Sequence, residues 1–360
     1  MIPLMTKKQQ MADVLACCGL PAQHLPENLA PEHHAIFASY CQWPRPAMEM
    51  KCLHRVAVSS TGLIYHWGHW LMESLPHYFE PDHGEANKMR TLIKTRPVRR
   101  FLRHHFFSVP VFAAPRAFWC SDLYSGSYYH WIIETLPRIH LATLAEEHPV
   151  VYLPAPFGLL SFVQESLPLF PEVDFRLLKW RQTLWAGQLN WISPMGYVYQ
   201  LNPKLIHLLR ERITKALEPS GRTGKPVRLH ASRRKAGKRK LLNEDEVEKC
   251  LMARGFQTVY FEEMTLRQQM EICARAEALV GIHGAGLANA LFLPGNARVV
   301  EMQMFQSWPS CYFRLCNALE LKYHYLYCRH FPPDETSELA ADLEVDVGQL
   351  QALLDSAGLT

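Results

Sequence analysis

The sequence predicts an α/β protein, and three observations carry that expectation. Short apolar segments alternate with amphipathic helical segments between residues 227 and 302, the pattern of a parallel sheet flanked by helices. The chain has 360 residues, 48% hydrophobic and 20% charged, which is long enough for two domains and apolar enough to bury real cores. A glycine-rich turn, Gly281 to Gly286, directly follows one of the apolar segments.

Taken in order, Val150 to Leu153, Phe175 to Leu178 and Gln188 to Ser193 read as strands with helical stretches between them. Proline is frequent in this first part, so strand order stays unread. Asn202-Pro203 reads as a cap followed by proline at the first helical position. Leu205, Leu208, Leu209, Ile213, Ala216 and Leu217 then recur at helical spacing. The run Glu218 to Pro226, with two glycines, two prolines and a serine, reads as a joint. After it come a strand at Val227 to His230 and a helix capped by Asn243 with Glu246, ending near Gly255. A strand at Phe256 to Phe261 follows, then a helix capped by Thr265 with Gln268, with Leu266, Met270 and Cys273 on its buried stripe. Ala278 to Ile282 is a third strand, short and apolar as parallel strands are. A short helix after Gly286 and a strand at Arg298 to Met302 complete the alternation. These boundaries divide the chain into an α/β domain at 1–218, a linker at 219–226, a Rossmann-like domain at 227–330 and an acidic helical tail at 331–360. Leu350, Leu353 and Leu354 give the tail an apolar face able to pack back on the body.

Composition excludes several classes. No apolar run reaches the ~18 residues of a membrane span, and the start lacks the basic head and apolar stretch of a secretory leader. Ten scattered cysteines with no CxxC pair argue against a zinc ribbon or a disulfide scaffold. The expectation is a soluble cytoplasmic protein. Net charge is only +4, but eight basic residues fall within Lys225 to Lys240, while seven acids and no Lys or Arg follow from Asp334 onward. That asymmetry points to one local anionic partner rather than to a nucleic acid.

Four motifs could carry chemistry. At His283-Gly284-Ala285-Gly286-Leu287-Ala288-Asn289, glycines at a strand-to-helix turn let backbone amides approach phosphate. The turn follows a third rather than a first strand and has Asn289 where a dinucleotide fingerprint has glycine, which disfavours a nicotinamide cofactor. The basic run Ser232 to Lys240, leading to Asn243, lies after the first strand of its domain. Arg233 and Arg239 are its candidate phosphate ligands, since guanidinium forks match phosphate oxygens, and Lys235 and Lys240 are read as solvated. On a helix, His130 and Glu134 lie one turn apart on the same face. The carboxylate would hold the imidazole in one tautomer and raise its basicity, as a general base requires; an ordinary i,i+4 contact is the alternative. Pro137 is expected to kink or end that helix. Glu301, on the strand after the glycine turn, could meet vicinal ribose hydroxyls or could be a solvent-facing strand end. His69 to Pro76 echoes His130 to Pro137, with five of eight positions identical.

Together these blocks resemble glycosyltransferase family 61. The resemblance rests on Tyr128-Tyr129-His130-Trp131 through Leu136-Pro137-Arg138, on Ser232-Arg233-Arg234 with Arg239 and Asn243 to Glu246, and on His283 to Leu287 with Asn289, Phe292, Pro294, Gly295 and Glu301. It covers residues from about 120 to 305; the first 110 residues carry none of it. It implies a GT-B architecture of two Rossmann-like domains facing a cleft, and an inverting transfer from a nucleotide-sugar donor without an essential metal or other cofactor. Ser232, Arg233, Arg239, Asn243, His283, Gly284, Ala285, Gly286, Leu287, Asn289 and Glu301 would hold the donor. His130 or Glu134 would face a glycan or lipid-linked glycan acceptor in surface polysaccharide biosynthesis, with peripheral contact at the inner membrane if the acceptor is lipid-linked. The alternatives are a non-catalytic sugar-nucleotide-binding protein and, further off, a nucleic-acid-associated protein using residues 225–240.

Overall fold

Two sheets organise the computed structural model, which describes residues 5–17, 24–42, 48–60, 62–66, 69–71, 74, 108–122, 124–195, 201–217, 224–305, 311–334 and 341–360. Contacts group the chain into one unit of Met1–Gly19 with Pro44–Leu209 and a second of Leu20–Trp43 with Arg210–Thr360. The expected linker lies mostly outside the described residues. So does half of the His69 echo, of which His69 and Trp70 form a short strand and Ser74 is buried.

The first unit is built on β1 (Met50–Ser59), β2 (Ile64–His66), β3 (His69–Trp70), β4 (Val109–Phe112), β5 (Ala117–Trp119), β6 (Val150–Pro154), β7 (Asp174–Leu178) and β8 (Gln182–Ile192). Their order is β3-β2-β1-β8-β5-β6-β7, with β4 also beside β8. β8 is the spine of this sheet. One edge runs antiparallel to β1 over nearly its whole length, and the other pairs in parallel with β4 at Gln182 to Trp185 and with β5 at Asn190 and Trp191. The strand expected at Gln188 is therefore longer than its apolar signature, because its first half is paired rather than fully enclosed. Trp119, Trp191, Tyr152, Val58 and Leu189 fill the core, and the Trp119 indole N–H is satisfied by the Ser121 carbonyl at 2.8 Å. Burying side chains of this size contributes roughly 1.5–3 kcal/mol each.

Helix Pro203–Leu217 begins as its sequence requires, with the Asn202 side chain accepting from the Leu205 amide at 3.1 Å. The helix expected to carry His130 and Glu134 does not end at Pro137. Residues His130–Thr135 form a π-helical stretch, in which the Leu136 amide reaches back to the Trp131 carbonyl, and an α-helix continues over Leu136–Ala145. Pro137 sits in the first turn of that α-helix, where a missing N–H is tolerated.

The second unit has β9 (Val227–Ala231), β10 (Phe256–Val259), β11 (Ala276–Ile282), β12 (Arg298–Met304), β13 (Lys322–Phe331) and β14 (Asp342–Glu344), ordered β10-β9-β11-β12-β13-β14. The first five are parallel and β14 is antiparallel. In chain order this is a 2-1-3-4-5 sheet, which reverses direction between β9 and β11. Open α/β sheets place ligands outside the carboxyl ends of the strands at such a switch point. Helices Glu244–Met252 and Leu266–Cys273 fall where expected. The second has the full capping box of Thr265 and Gln268; at the first, Asn243 is the cap residue but makes no capping bond.

Residues 24–42 belong to this second unit. The Glu27 amide donates to the Tyr323 carbonyl, Asn28 exchanges two bonds with the Tyr325 backbone, and Phe37 is buried against Phe313 and Tyr325. They line the part of the β13 edge that β14, paired only at Arg329 to Phe331, does not reach. In the acidic tail, helix Val347–Ser356 buries Leu350, Leu353 and Leu354 in the unit's core.

His230 gives this unit an acid-sensitive point. It lies buried in β9 opposite Thr258, and burial, assisted by the Arg234 charge, pushes its pKa down to about 4. The unfolded chain protonates near 6.5, so stability is retained above that pH and falls as pH drops from about 6.5 to about 4. The expected loss is roughly 3 kcal/mol. Urea midpoints measured across that window should fall steeply in the native chain and much less in His230→Gln.

Candidate active site

Two loops meet at the switch point of the second sheet. One leaves β9 at Ser232, and the other leaves β11 at His283. Arg233 crosses from the first to the second: a Cβ built on Gly284 would fall 2.6 Å from its Nη1. Gly284 is extended, with φ 168°, so glycine is needed there for closeness and not for a left-handed turn. Arg233 is held in place by the loop's own backbone, with Nε donating to the Arg239 carbonyl at 3.2 Å and Nη2 to the Lys238 carbonyl at 3.1 Å. Arg239, at a positive φ of 57°, reaches the His283 carbonyl at 3.4 Å. Two guanidinium groups thus share the mouth of the turn. Burial first, and then the nearby Arg239 charge, holds the Arg233 pKa below the usual arginine value.

Two further basic residues of the run are compensated locally. Arg234 pairs with Asp245 at 2.6 Å and Glu248 at 3.0 Å. Lys235, expected to be solvated, pairs with Glu263 and lies 4.4 Å over the Tyr260 ring. Ser232 is buried and donates to Glu244. Asn243 is turned away from the turn: its side chain brackets Val345, accepting from the amide at 3.0 Å and donating to the carbonyl at 2.8 Å. It anchors the tail, which explains its unused capping position.

Beneath the turn lies a buried polar chain. His283 Nδ1 lies 2.5 Å from Glu301 Oε1, and the Tyr323 hydroxyl donates to Glu301 Oε2 at 2.6 Å. Glu301 is wholly buried, so neither expected role, a ribose contact or a solvent-facing strand end, describes this arrangement. Both its oxygens are occupied within the protein, and it supports His283 from below. Burial pushes its carboxyl up to about 8, opposed by the Tyr323 hydrogen bond. Tyr312, from helix Cys311–Ala318, donates to the Gly284 carbonyl at 2.6 Å and packs its ring 5.0 Å from His283. After Gly284 the chain forms a 3-10 helix, Ala285–Phe292. Within it Leu287 and Asn289 are buried, and Asn289 donates to Gln269 at 3.0 Å. A Cβ on Gly286 would press on the Phe261 ring at 3.3 Å, so that glycine serves packing. Tyr312 and Tyr323 carried no motif in the sequence; only the fold brings them to the turn.

Gly284→Ala should leave the fold intact and displace the Arg233 guanidinium, since only the end of a flexible side chain must move. Expected are an unchanged melting temperature and a clear loss of nucleoside diphosphate affinity by calorimetry; unaltered affinity would show that Arg233 does not need this seat.

In the first unit, His130 Nδ1 lies 2.7 Å from Glu134 Oε2, both side chains retaining a little exposure at 17% and 19%. The Tyr124 ring stacks on the imidazole at 5.4 Å. Burial lowers the His130 pKa, yet the Glu134 carboxylate, with a smaller contribution from Asp122, outweighs it and leaves the value raised. Trp131 is core, its indole N–H donating to Ser166 at 2.8 Å. Among the described residues no three His, Cys, Asp or Glu side chains converge as a metal-binding group.

The family model described as Glycosyltransferase 61 matches residues 128–300, a span that opens on the His130 helix and closes one residue short of Glu301. Over these residues the chain resembles glycosyltransferase family 61. It is similar to the EGF domain-specific O-linked N-acetylglucosamine transferase of Drosophila melanogaster, 32% identical over 114 residues, which is 30% of this chain and 22% of that protein. It is also similar to the protein O-linked-mannose beta-1,4-N-acetylglucosaminyltransferase 2 of Tetraodon nigroviridis, 36% identical over 105 residues, 27% of this chain and 18% of that protein. The chain thus spans about a fifth of the length of each of these family 61 relatives.

Proposed function

We propose that this protein is an inverting glycosyltransferase that uses a nucleotide-sugar donor. The observation that carries the reading is the pair Arg233 and Arg239 at the sheet's switch point, one guanidinium seated against Gly284 and the other on the His283 carbonyl. Two cations held this close repel each other, and a diphosphate between them and the turn would relieve that cost. In this reading the second unit holds the donor and the first supplies the acceptor side, as the two halves of a GT-B enzyme.

His130 is the base. With Nδ1 hydrogen-bonded to Glu134, its Nε2 takes the proton from an acceptor hydroxyl. That oxygen bonds to the anomeric carbon as the bond from carbon to the diphosphate oxygen breaks. The electron pair leaves on the nucleoside diphosphate, where preset donors stabilise the growing charge. N-acetylglucosamine is the first donor sugar to test, because both relatives are named for its transfer. The acceptor is a glycan or lipid-linked glycan of a surface polysaccharide; a lipid-linked one would draw a cytoplasmic protein to the inner membrane. The salt bridges that compensate Arg234 and Lys235 favour a small diphosphate over a nucleic acid as the anion.

A thermal-shift panel of nucleotide sugars, free nucleoside diphosphates and uncharged nucleosides tests this directly. A ligand at 100 times its dissociation constant adds about 2.7 kcal/mol. Diphosphates should raise the melting temperature and nucleosides should not. No response to any diphosphate would overturn the reading, and a response without product in the presence of acceptors would favour a non-catalytic binding protein.

A further inference from the structure

The π-helical stretch that presents His130 and Glu134 is an unusual piece of backbone. An i→i+5 turn is rare, and such turns are found inside α-helices, frequently at functional sites. Here the carbonyls of the two site residues are each gripped by a buried side chain. The Thr135 hydroxyl donates to the His130 carbonyl at 3.0 Å, and Arg138 Nε donates to the Glu134 carbonyl at 3.0 Å. Both grips lead to Asp122. Arg138 Nη2 donates to Asp122 Oδ2 at 2.7 Å. The Thr135 hydroxyl lies 2.7 Å from that of Ser125, which accepts from the Asp122 amide at 2.9 Å. A third connection runs from Asp122 Oδ1 to the Tyr124 amide at 2.9 Å, and the Tyr124 ring stacks on His130. Asp122, Ser125, Thr135 and Arg138 are all buried.

We infer that Asp122 is a positioning residue, which holds the His130–Glu134 turn in its working orientation through Arg138, through the Ser125–Thr135 hydroxyl pair and through Tyr124. A buried ion pair is a poor source of stability, because desolvation offsets its attraction; what it supplies here is a single geometry. The groups facing His130 are Glu134 and Arg138 from its own helix, Asp122 and Tyr124 from the loop after β5, and the Tyr129 ring. The two carboxylates raise the imidazole's pKa and Arg138 lowers it. Removing the Asp122 charge therefore lowers the imidazole's pKa, leaving Glu134 as the one carboxylate set against Arg138. The inference rests on the reading of His130 as the base.

Two variants of the full chain test it, Asp122→Asn and the uncharged change Thr135→Val, which keeps the test open if the first does not fold. Nitrogen-15 histidine NMR, recorded without substrate, reads the titration and tautomer of His130. Steady-state kinetics read kcat and donor KM. In Asp122→Asn, His130 should titrate at lower pH and kcat should fall roughly tenfold or more with donor KM unchanged. In Thr135→Val, kcat should fall with the pH profile unmoved, because a hydroxyl carries no charge. An unshifted His130 titration in folded Asp122→Asn, or full kcat in Thr135→Val, overturns the inference. The NMR result needs no turnover, so a chain that shows the titration shift yet transfers no sugar would sink the transferase reading and leave the positioning geometry standing.

Discussion

Arg233→Ala is expected to lower kcat by about 10²–10³-fold, a loss of roughly 2.7–4 kcal/mol of transition-state stabilisation, the cost of deleting one preset donor to a charge that forms during reaction. The guanidinium is held by two backbone carbonyls and touches the glycine turn, so it is already aimed before any ligand arrives. In the proposed site, its removal would leave Arg239 to face a diphosphate alone. The matched control is Arg234→Ala, because Arg234 is exposed and spends its charge on Asp245 and Glu248. Exposed pairs of that kind contribute about 0–1 kcal/mol to stability, and the variant should keep its turnover. Steady-state kinetics on the two proteins separate the roles; near-normal turnover in Arg233→Ala would remove that residue from the site.

His130→Ala should cost about 10²–10⁴-fold in kcat, the span over which a positioned general base contributes. Glu134→Gln should cost less and should also move the pH profile. His130 must be neutral to accept a proton, so activity falls as pH drops through its raised pKa. Glu134 is the chief influence raising that pKa, so in Glu134→Gln the acid limb of kcat/KM shifts to lower pH. If Glu134 were itself the base, the order would invert, with the larger loss in Glu134→Gln. Unchanged rates in both variants would take the pair out of the chemistry altogether.

Much of the second unit was legible without coordinates, for reasons that are local. Val227 to Ala231, Ala276 to Ile282 and Arg298 to Met304 are strands buried on both faces, and such strands write themselves as short apolar runs. Thr265 and Gln268 cap a helix because each satisfies the other's backbone N–H across three residues. His130 and Glu134 meet because an i,i+4 spacing places them together, even through a π turn. β13 was not legible. Its buried positions carry Tyr323, His324 and Tyr325, and two of these find polar partners far away in sequence, Glu301 for Tyr323 and Asn28 for Tyr325. A strand whose polar atoms are satisfied at long range has no apolar run to announce it. Residues 24–42 escaped notice for the same reason, since what they complete lies 295 to 297 residues away.

The chain's own order of residues determined an α/β second half, a glycine turn, a basic run with two candidate arginines, and a histidine with a carboxylate one turn on. All of these follow from spacings of a few residues. Only the tertiary structure decided that Arg233 rests on Gly284, that Glu301 is enclosed beneath His283 instead of reaching outward, and that Asp122 lies behind the His130–Glu134 pair. Each of those outcomes depends on whether a charged side chain finds partners as it leaves water. That is settled by which segments pack together, and no local spacing records it.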